Sequence, residues 1–334
     1  MWARQTIAKQ KRWQLPCQPL EDDGLIAMPA PLQAFYSDCF VLPLPEHHRF
    51  PIDKYRLTRE RLGAMLPADR ILFCVPPAAS DEDILRAHSE EYLEQVKAGD
   101  LSKVEQRRIG FPWSPEMVER SRRSTGATQQ AARQAMLDGV AVNLAGGTHH
   151  AFADHGQGYC VFNDVAVAIR TLQHEGLIRK AAVIDCDVHQ GNGTASIFKN
   201  DPTVFTCSLH GANNFPFTKC DGDLDIPLPD GTEDEAYLKV LAEVLDNEVS
   251  WKNIDMVFYL AGADPYEGDR LGKLKLTLQG LRMRDDLVAR ACLTHRKPLV
   301  TAMAGGYAKN IADIVNIHTT TVLTVMQCLG RSDY

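Results

Sequence analysis

No stretch of this 334-residue chain approaches the roughly eighteen consecutive apolar residues that a membrane-spanning helix requires. No apolar signal-peptide core follows Met1 either. The nine cysteines form no CxxC pair and show no regular spacing, which argues against a disulfide framework or a cysteine-zinc module. Most of them, Cys74, Cys160, Cys186 and Cys207 included, sit beside apolar runs where a reduced thiol packs as a small hydrophobe. An excess of basic residues is also missing. The 36 Lys and Arg are outnumbered by 43 Asp and Glu, for a net charge of −7, which speaks against an electrostatic nucleic-acid binder. Repeats, low-complexity tracts and Gly/Ser/Pro linkers are absent as well. These absences leave a reducing compartment, expected to be the cytoplasm, and a chain whose 45% hydrophobic content can bury a sizeable core.

The first fourteen residues carry Arg4, Lys9, Lys11 and Arg12 without an acid. Residues 1–33 are read as an N-terminal extension, with an organelle transit segment as the less favoured alternative. Residues 34–330 are read as one catalytic domain. Within it, Ile71–Val75, Val140–Leu144, Ala181–Ile184, Val204–Ser208, Met256–Leu260 and Leu299–Met303 are short, continuously apolar runs. Such runs predict buried parallel strands rather than half-exposed ones. Helical patterns lie between them: one from a Ser80/Asp83 cap through Tyr92, then Pro115–Leu137, Asp164–Gln173, Glu233–Glu248, Leu278–Leu293 and Asn310–Val325. Strand followed by helix, repeated, is the pattern of an α/β domain, whose ligands bind beyond the carboxyl ends of the strands.

The polar residues that follow four of these runs carry the chemistry. The run from Ala181 leads into Asp185, Asp187 and His189, and residues two apart on a strand share a face. Clustered buried carboxylates need a compensating cation, and an Asp/His pair suits a divalent ion with nitrogen and oxygen ligands. The run from Met256 ends in Ala-Gly-Ala-Asp264, which supplies a third ligand and leaves an open position on the ion. After Val140–Leu144 comes Gly146-Gly-Thr-His149-His150, a candidate acid/base pair whose tautomers Asp185 and Asn192 could set. After Leu299–Met303 comes Ala304-Gly305-Gly306-Tyr307, a hydroxyl on a glycine-rich loop suited to a developing oxyanion.

In this order the motifs resemble the histone deacetylase family, whose fold is shared with arginases. The segments Gly147-Thr-His-His-Ala, Gly158-Tyr-Cys-Val-Phe-Asn-Asp164, His189-Gln-Gly-Asn-Gly and Ala263-Asp-Pro-Tyr-Glu-Gly-Asp-Arg-Leu-Gly272 carry the likeness. They look most like class IV and its bacterial relatives. The resemblance implies a single-domain arginase/deacetylase-type α/β fold with a central, mostly parallel eight-stranded sheet and helices on both faces. It implies zinc, or ferrous iron, on Asp187, His189 and Asp264, with His149, His150, Tyr307, Asp185 and Asn192 as catalytic residues. Asn192 stands where class I enzymes have a second aspartate. A structural K⁺ or Na⁺ is implied at Asp185, Asp187, His189, Ser208 and Leu209. A narrow substrate tunnel is implied at Gly158, Tyr159, Phe215, Leu271, Gly305 and Gly306.

The implied activity is zinc-dependent removal of acetyl or longer acyl groups from lysine side chains of a peptide or protein. Hydrolysis of acetylpolyamines or other small acylated amines is the first alternative, and a non-catalytic acyl-lysine scaffold the second. No direct nucleic-acid or membrane contact is expected, and the oligomeric state is left open. Of the remaining motifs, His47-His48-Arg49-Phe50-Pro51 is read as a mouth loop or an exposed loop, Arg120–Arg123 as a solvated helix face, and His155 as a surface position.

Overall fold

The computed structural model describes residues 30–328. Its core is one sheet of eight parallel strands: β1 (Leu32–Phe35), β2 (Ile71–Cys74), β3 (Val140–Asn143), β4 (Ala181–Asp185), β5 (Val204–Gly211), β6 (Leu224–Leu228), β7 (Met256–Leu260) and β8 (Leu299–Ala302). Their spatial order is β2-β1-β3-β8-β7-β4-β5-β6. The last strand made therefore lies in the middle, with β3 on one side and β7 on the other.

All six expected strands form. The reason is visible in how their side chains divide. Val140, Val142, Ala182, Ile184, Val257 and Tyr259 enter one core, while Ala141, Ala181, Val183, Met256, Phe258 and Leu260 enter another. Successive residues point to opposite faces, so a strand covered on both sides must be apolar throughout.

Helices α8 (Asp234–Asn247), α9 (Leu278–Thr294) and α10 (Ile311–Cys328) cover the first face, with α1 (Asp53–Met65) packed on α10. Helices α5 (Pro115–Asp138) and α6 (Asp164–His174) cover the second. The remaining helices are α2 (Asp81–Leu85), α3 (Glu90–Ala98), α4 (Lys103–Ile109) and α7 (Asn192–Ile197). Helix α5 starts at its N-cap Ser114, whose side chain accepts from the Met117 N–H, and stops at Gly139 in the left-handed conformation. Its buried stripe of Ala127, Ala131, Ala132 and Ala135 lets it lie close to the sheet.

Three expectations change. The single helix expected from Ser80 through Tyr92 is two, α2 and α3, each with its own serine cap (Ser80 and Ser89). Strand β1 begins at Leu32, inside the stretch read as the extension, and residues 1–29 of that stretch lie outside the described residues. Arg120–Arg123 is no solvated face. Arg120 is buried and donates to the Ser37 and Phe40 carbonyls, while Arg122 and Arg123 donate to the carbonyls of Ala79 and Pro76. These guanidiniums fasten α5 to the loops that follow β1 and β2.

A third apolar cluster sits beyond the carboxyl end of the sheet. It gathers residues of α2, α3 and α4 with Phe50, Tyr55, Phe111, Phe162 and Tyr307. This cluster forms the wall around the site described next.

Candidate active site

The four motifs follow β3, β8, β7 and β4, which are adjacent in that order, so all four emerge side by side on one edge of the sheet. Asp187, His189 and Asp264 converge there, all buried, with their ligand atoms within 4.8 Å of one another. His189 Nδ1 lies 2.9 Å from Asp187 Oδ1 and 3.3 Å from Asp264 Oδ2. Backbone amides hold the carboxylates. Gly305 donates to Asp187 Oδ2 at 2.7 Å and Val188 donates to Asp264 Oδ1 at 2.9 Å. Asp264 Oδ2 is buried with no hydrogen-bond partner.

An orphaned carboxylate oxygen facing a second carboxylate and an imidazole fits one small divalent ion with nitrogen and oxygen ligands. The electrostatics agree. Burial alone would lower the pKa of His189, yet Asp187 and Asp264 raise it to about 10. A site that holds a proton this firmly attracts positive charge, and a divalent ion can take the proton's place.

His149 and His150 face the same cavity with ring centroids 4.2 Å apart. Asp185 Oδ2 lies 2.6 Å from His149 Nδ1, and Asn192 Oδ1 lies 2.8 Å from His150 Nδ1. Each partner oxygen accepts, so each ring carries its proton on Nδ1 and keeps Nε2 toward the cavity. The two partners act differently. Despite the cost of burial, Asp185 and Asp187 raise His149 to about 9. Burial and the charges of His149 and His189 push His150 well below its usual value, and Asn192 opposes this only weakly. His150 is therefore the neutral member of the pair.

Tyr307 closes the opposite side. Its N–H donates to Asp269 Oδ2 at 2.6 Å, and its carbonyl accepts from Arg270 Nε at 2.9 Å. Its ring stands edge-on to His189 at 6.4 Å and packs near Tyr159 at 5.9 Å. The loop can approach only because position 305 is glycine, since a Cβ there would lie 2.0 Å from Asp264 Oδ2. Gly158 is required on the other wall, where φ is +58° and a Cβ would lie 2.6 Å from the His150 ring.

A cavity of about 250 Å³ opens outward from His150, His189 and Tyr307 between Gly158, Tyr159, Phe215 and Leu271. Five of the six expected tunnel residues thus fall on two cavities that meet at the metal cluster, Gly305 on the inner one, Phe215 and Leu271 on the outer, and Gly158 and Tyr159 on both. Gly306 stands one residue further along the same loop. His48 and Phe50 buttress Tyr159, with ring centroids 5.9 and 5.2 Å away, while His47 is exposed. His155 is stacked on Phe152 and bonded to Asp154, outside the metal cluster. Behind the ligands, Ser208 pairs in register with Asp185, and Leu209 is buried in the core. These two positions could therefore serve a monovalent ion through the Ser208 hydroxyl and backbone oxygens.

Two cations were not legible from the sequence. Lys54 on α1 is fully buried, donates to the Ala304 and Gly306 carbonyls, and has its pKa lowered to about 8 by burial, against the pull of Asp264 and Asp187. Arg284 on α9 is also fully buried. It donates to the carbonyls of Gly262 at 2.6 Å and Cys186 at 3.3 Å, and Asp285 holds it from the other side. Cys186 immediately precedes the ligand Asp187, and Gly262 stands two residues before Asp264.

Comparison with known proteins agrees with this arrangement. Residues 48–322 match the histone deacetylase domain model. The chain belongs to the histone deacetylase family. It is 45% identical over 287 residues to an uncharacterised protein of Picosynechococcus, covering 85% of this chain and 95% of that one. It is 30% identical to a histone deacetylase-like amidohydrolase of Pseudomonas aeruginosa, covering 75% of this chain and 71% of that one. With histone deacetylase 2 of Arabidopsis thaliana it shares 32% identity, over 72% of this chain and 64% of the plant protein. A histone deacetylase homologue from Aquifex aeolicus superposes with a TM-score of 0.75 at 25% identity, covering 91% of this chain and 85% of that one. The arginase/deacetylase-type fold and membership of this deacetylase and amidohydrolase family are thereby established.

Proposed function

We propose that this protein is a zinc-dependent deacylase that hydrolyses the amide of acylated lysine side chains. The observation that carries the reading is the buried Asp187–His189–Asp264 cluster, with its unpartnered Asp264 oxygen, flanked by His150 and Tyr307 on the floor of one open cavity. A zinc ion bound by these three residues would polarise the substrate carbonyl and make water more acidic.

The chain's own groups do the rest. His150, neutral and with Nε2 toward the cavity, takes the proton of the attacking water. His149, kept cationic by Asp185, balances the charge that develops beside it. The Tyr307 hydroxyl donates to the oxyanion. Protonated His150 then returns its proton to the departing amine. Tyr159 and Phe215 enclose the aliphatic stem, and the narrow passage favours an unbranched substrate. Asn192 in place of an aspartate leaves His150 less basic than His149, a division of labour consistent with the class IV pattern of the His189–Gly193 segment. The catalytic unit begins with β1 at Leu32, and a K⁺ or Na⁺ behind Asp185 and Ser208 would stiffen the end of β4 that leads into Asp187 and His189. Two similar proteins support the reading, the histone deacetylase-like amidohydrolase of Pseudomonas aeruginosa and a solved histone deacetylase homologue in complex with SAHA.

The test is metal content together with hydrolysis of acyl-lysine peptides of graded chain length, run beside acetylputrescine. Wild type should copurify with about one zinc and prefer the peptides. His150→Ala should lose on the order of 10²–10⁴ in kcat, and Tyr307→Phe on the order of 10²–10³. Undiminished turnover in both variants contradicts the mechanism, and preference for acetylputrescine contradicts the substrate.

A further inference from the structure

The outer cavity is framed by short segments from distant parts of the chain: 47–52, 106–113, 156–160, 211–220, 270–276 and 304–310. None of them contains an aspartate or a glutamate. Between them they carry Arg49, Arg107, Arg108, Lys219, Arg270, Lys273, Lys275 and Lys309. In a chain with 43 acidic and 36 basic residues, that partition is the reverse of the average surface.

The site's geometry preserves the imbalance. Among the described residues, only Lys273 of these eight has a carboxylate within 4.0 Å, Asp230 at 3.8 Å. Arg107 donates to the Lys103 carbonyl and Arg270 to the Tyr307 carbonyl, contacts that fix the stems without cancelling the charge. Glu46, Asp53, Glu105, Asp221 and Asp269 border these segments in sequence, and of them Asp269 is spent inward on the amides of Leu271, Gly272 and Tyr307, Glu105 on the Ser102 amide and Asp53 on Arg56. The charges of Arg49 and Arg270 are close enough to act on the Tyr159 hydroxyl at the tunnel wall. Past Arg107 and Gly110 the cavity continues into a second groove of about 430 Å³, lined by Lys103, Gln106, Arg107, Phe111 and Pro112. Every charged side chain lining the groove, Lys103 and Arg107, is a cation.

From this charge pattern we infer that the mouth selects acyl-lysines set in acidic peptide segments, whose Asp or Glu side chains meet the Arg107–Arg108 wall while the acylated stem enters beside Tyr159. The inference rests on the deacylase reading and narrows it. Like charges facing each other across a mouth disfavour a lysine-rich tail or a free polyamine, and opposite charges speed encounter and tighten binding at low salt. No carboxylate lines the outer cavity or the groove to offer a basic substrate a counter-charge.

The test uses three peptides of equal length that share one central acyl-lysine and carry acidic, uncharged or basic flanks, each in an acetyl and a long-chain acyl form. The zinc-loaded full chain should give kcat/KM in the order acidic, uncharged, basic, with about tenfold between the extremes, mostly through KM. The spread should collapse as ionic strength rises toward 1 M, where screening acts over only about 3 Å. In the double variant Arg107→Glu/Arg108→Glu, rates taken relative to a capped single acyl-lysine should rank the flanks in the opposite order. Equal rates for all flanks at low salt, or an unchanged ranking in the double variant, overturn the inference while leaving the deacylase reading intact. No hydrolysis of any peptide overturns both.

Discussion

At the scale of single residues, the two histidines differ because of one atom on each partner. A carboxylate behind His149 and an amide behind His150 send neighbouring imidazoles to opposite sides of neutrality, and both partners stand near the sequence motifs that suggested them. Arg284 was invisible for the opposite reason. A basic residue among Arg282, Met283 and Asp285 on a helix reads as solvated surface, and the same assumption misread Arg120. Burial of a cation depends on which carbonyls the fold brings to it, and that information is not local. Arg284 touches the backbone beside two metal ligands, so Arg284→Met should weaken zinc affinity by about 10–100-fold in a chelator competition, with Arg284→Lys between it and wild type. Thr321→Val, which also removes a contact to Asp285 but leaves the carbonyls held, should lower Tm while keeping zinc affinity. Equal loss of zinc in the two variants would reduce Arg284 to a packing role.

At the scale of elements, the inner strands were legible because burial on both faces leaves an unbroken apolar run. Two strands were not: the edge strand β6, which carries Asp225 and Pro227, tolerable only at an edge, and the interior strand β1, whose run is interrupted by Gln33. The joint between α2 and α3 was missed for want of a proline or glycine to mark it. His88 fills that joint, buried, with Nε2 accepting from the Asn163 N–H that begins α6. Burial lowers its pKa from 6.5 to about 4. Between those values the unfolded chain binds the proton and the folded one does not, so this group's contribution is complete above pH 6.5 and shrinks as pH falls toward 4. The full span is about 3 kcal/mol at 1.36 kcal/mol per unit. His88→Gln should flatten the fall in denaturant-measured stability from pH 6.5 to 4.5 relative to wild type, and parallel profiles for the two proteins would refute the assignment.

At the scale of the whole molecule, the alternation of runs and helical patterns gave the α/β class, while the eight-strand count came from the family likeness, because two of the strands are too short or too polar to recognise alone. A metal on Asp187, His189 and Asp264 would join the segments that follow β4 and β7, so its binding energy would become folding energy. Protein stripped with chelator should gain about 2.7 kcal/mol of stability at zinc concentrations 100 times Kd, seen as a rise in Tm. Asp264→Asn should lose most of that rise, and an undiminished rise would move the metal elsewhere. The central place of β8 has a further consequence during synthesis. Strands β1 to β3 and β4 to β7 can each begin to pair as the ribosome delivers them, but the seam between the two halves stays open until residues 299–302 arrive. The same late segment brings Gly305 to the Asp187 carboxylate and Tyr307 to the cavity. A nascent chain cut short before this point lacks β8 and Tyr307, so under the proposed mechanism hydrolytic competence and closure of the sheet would arrive together, when nine-tenths of the chain has been made.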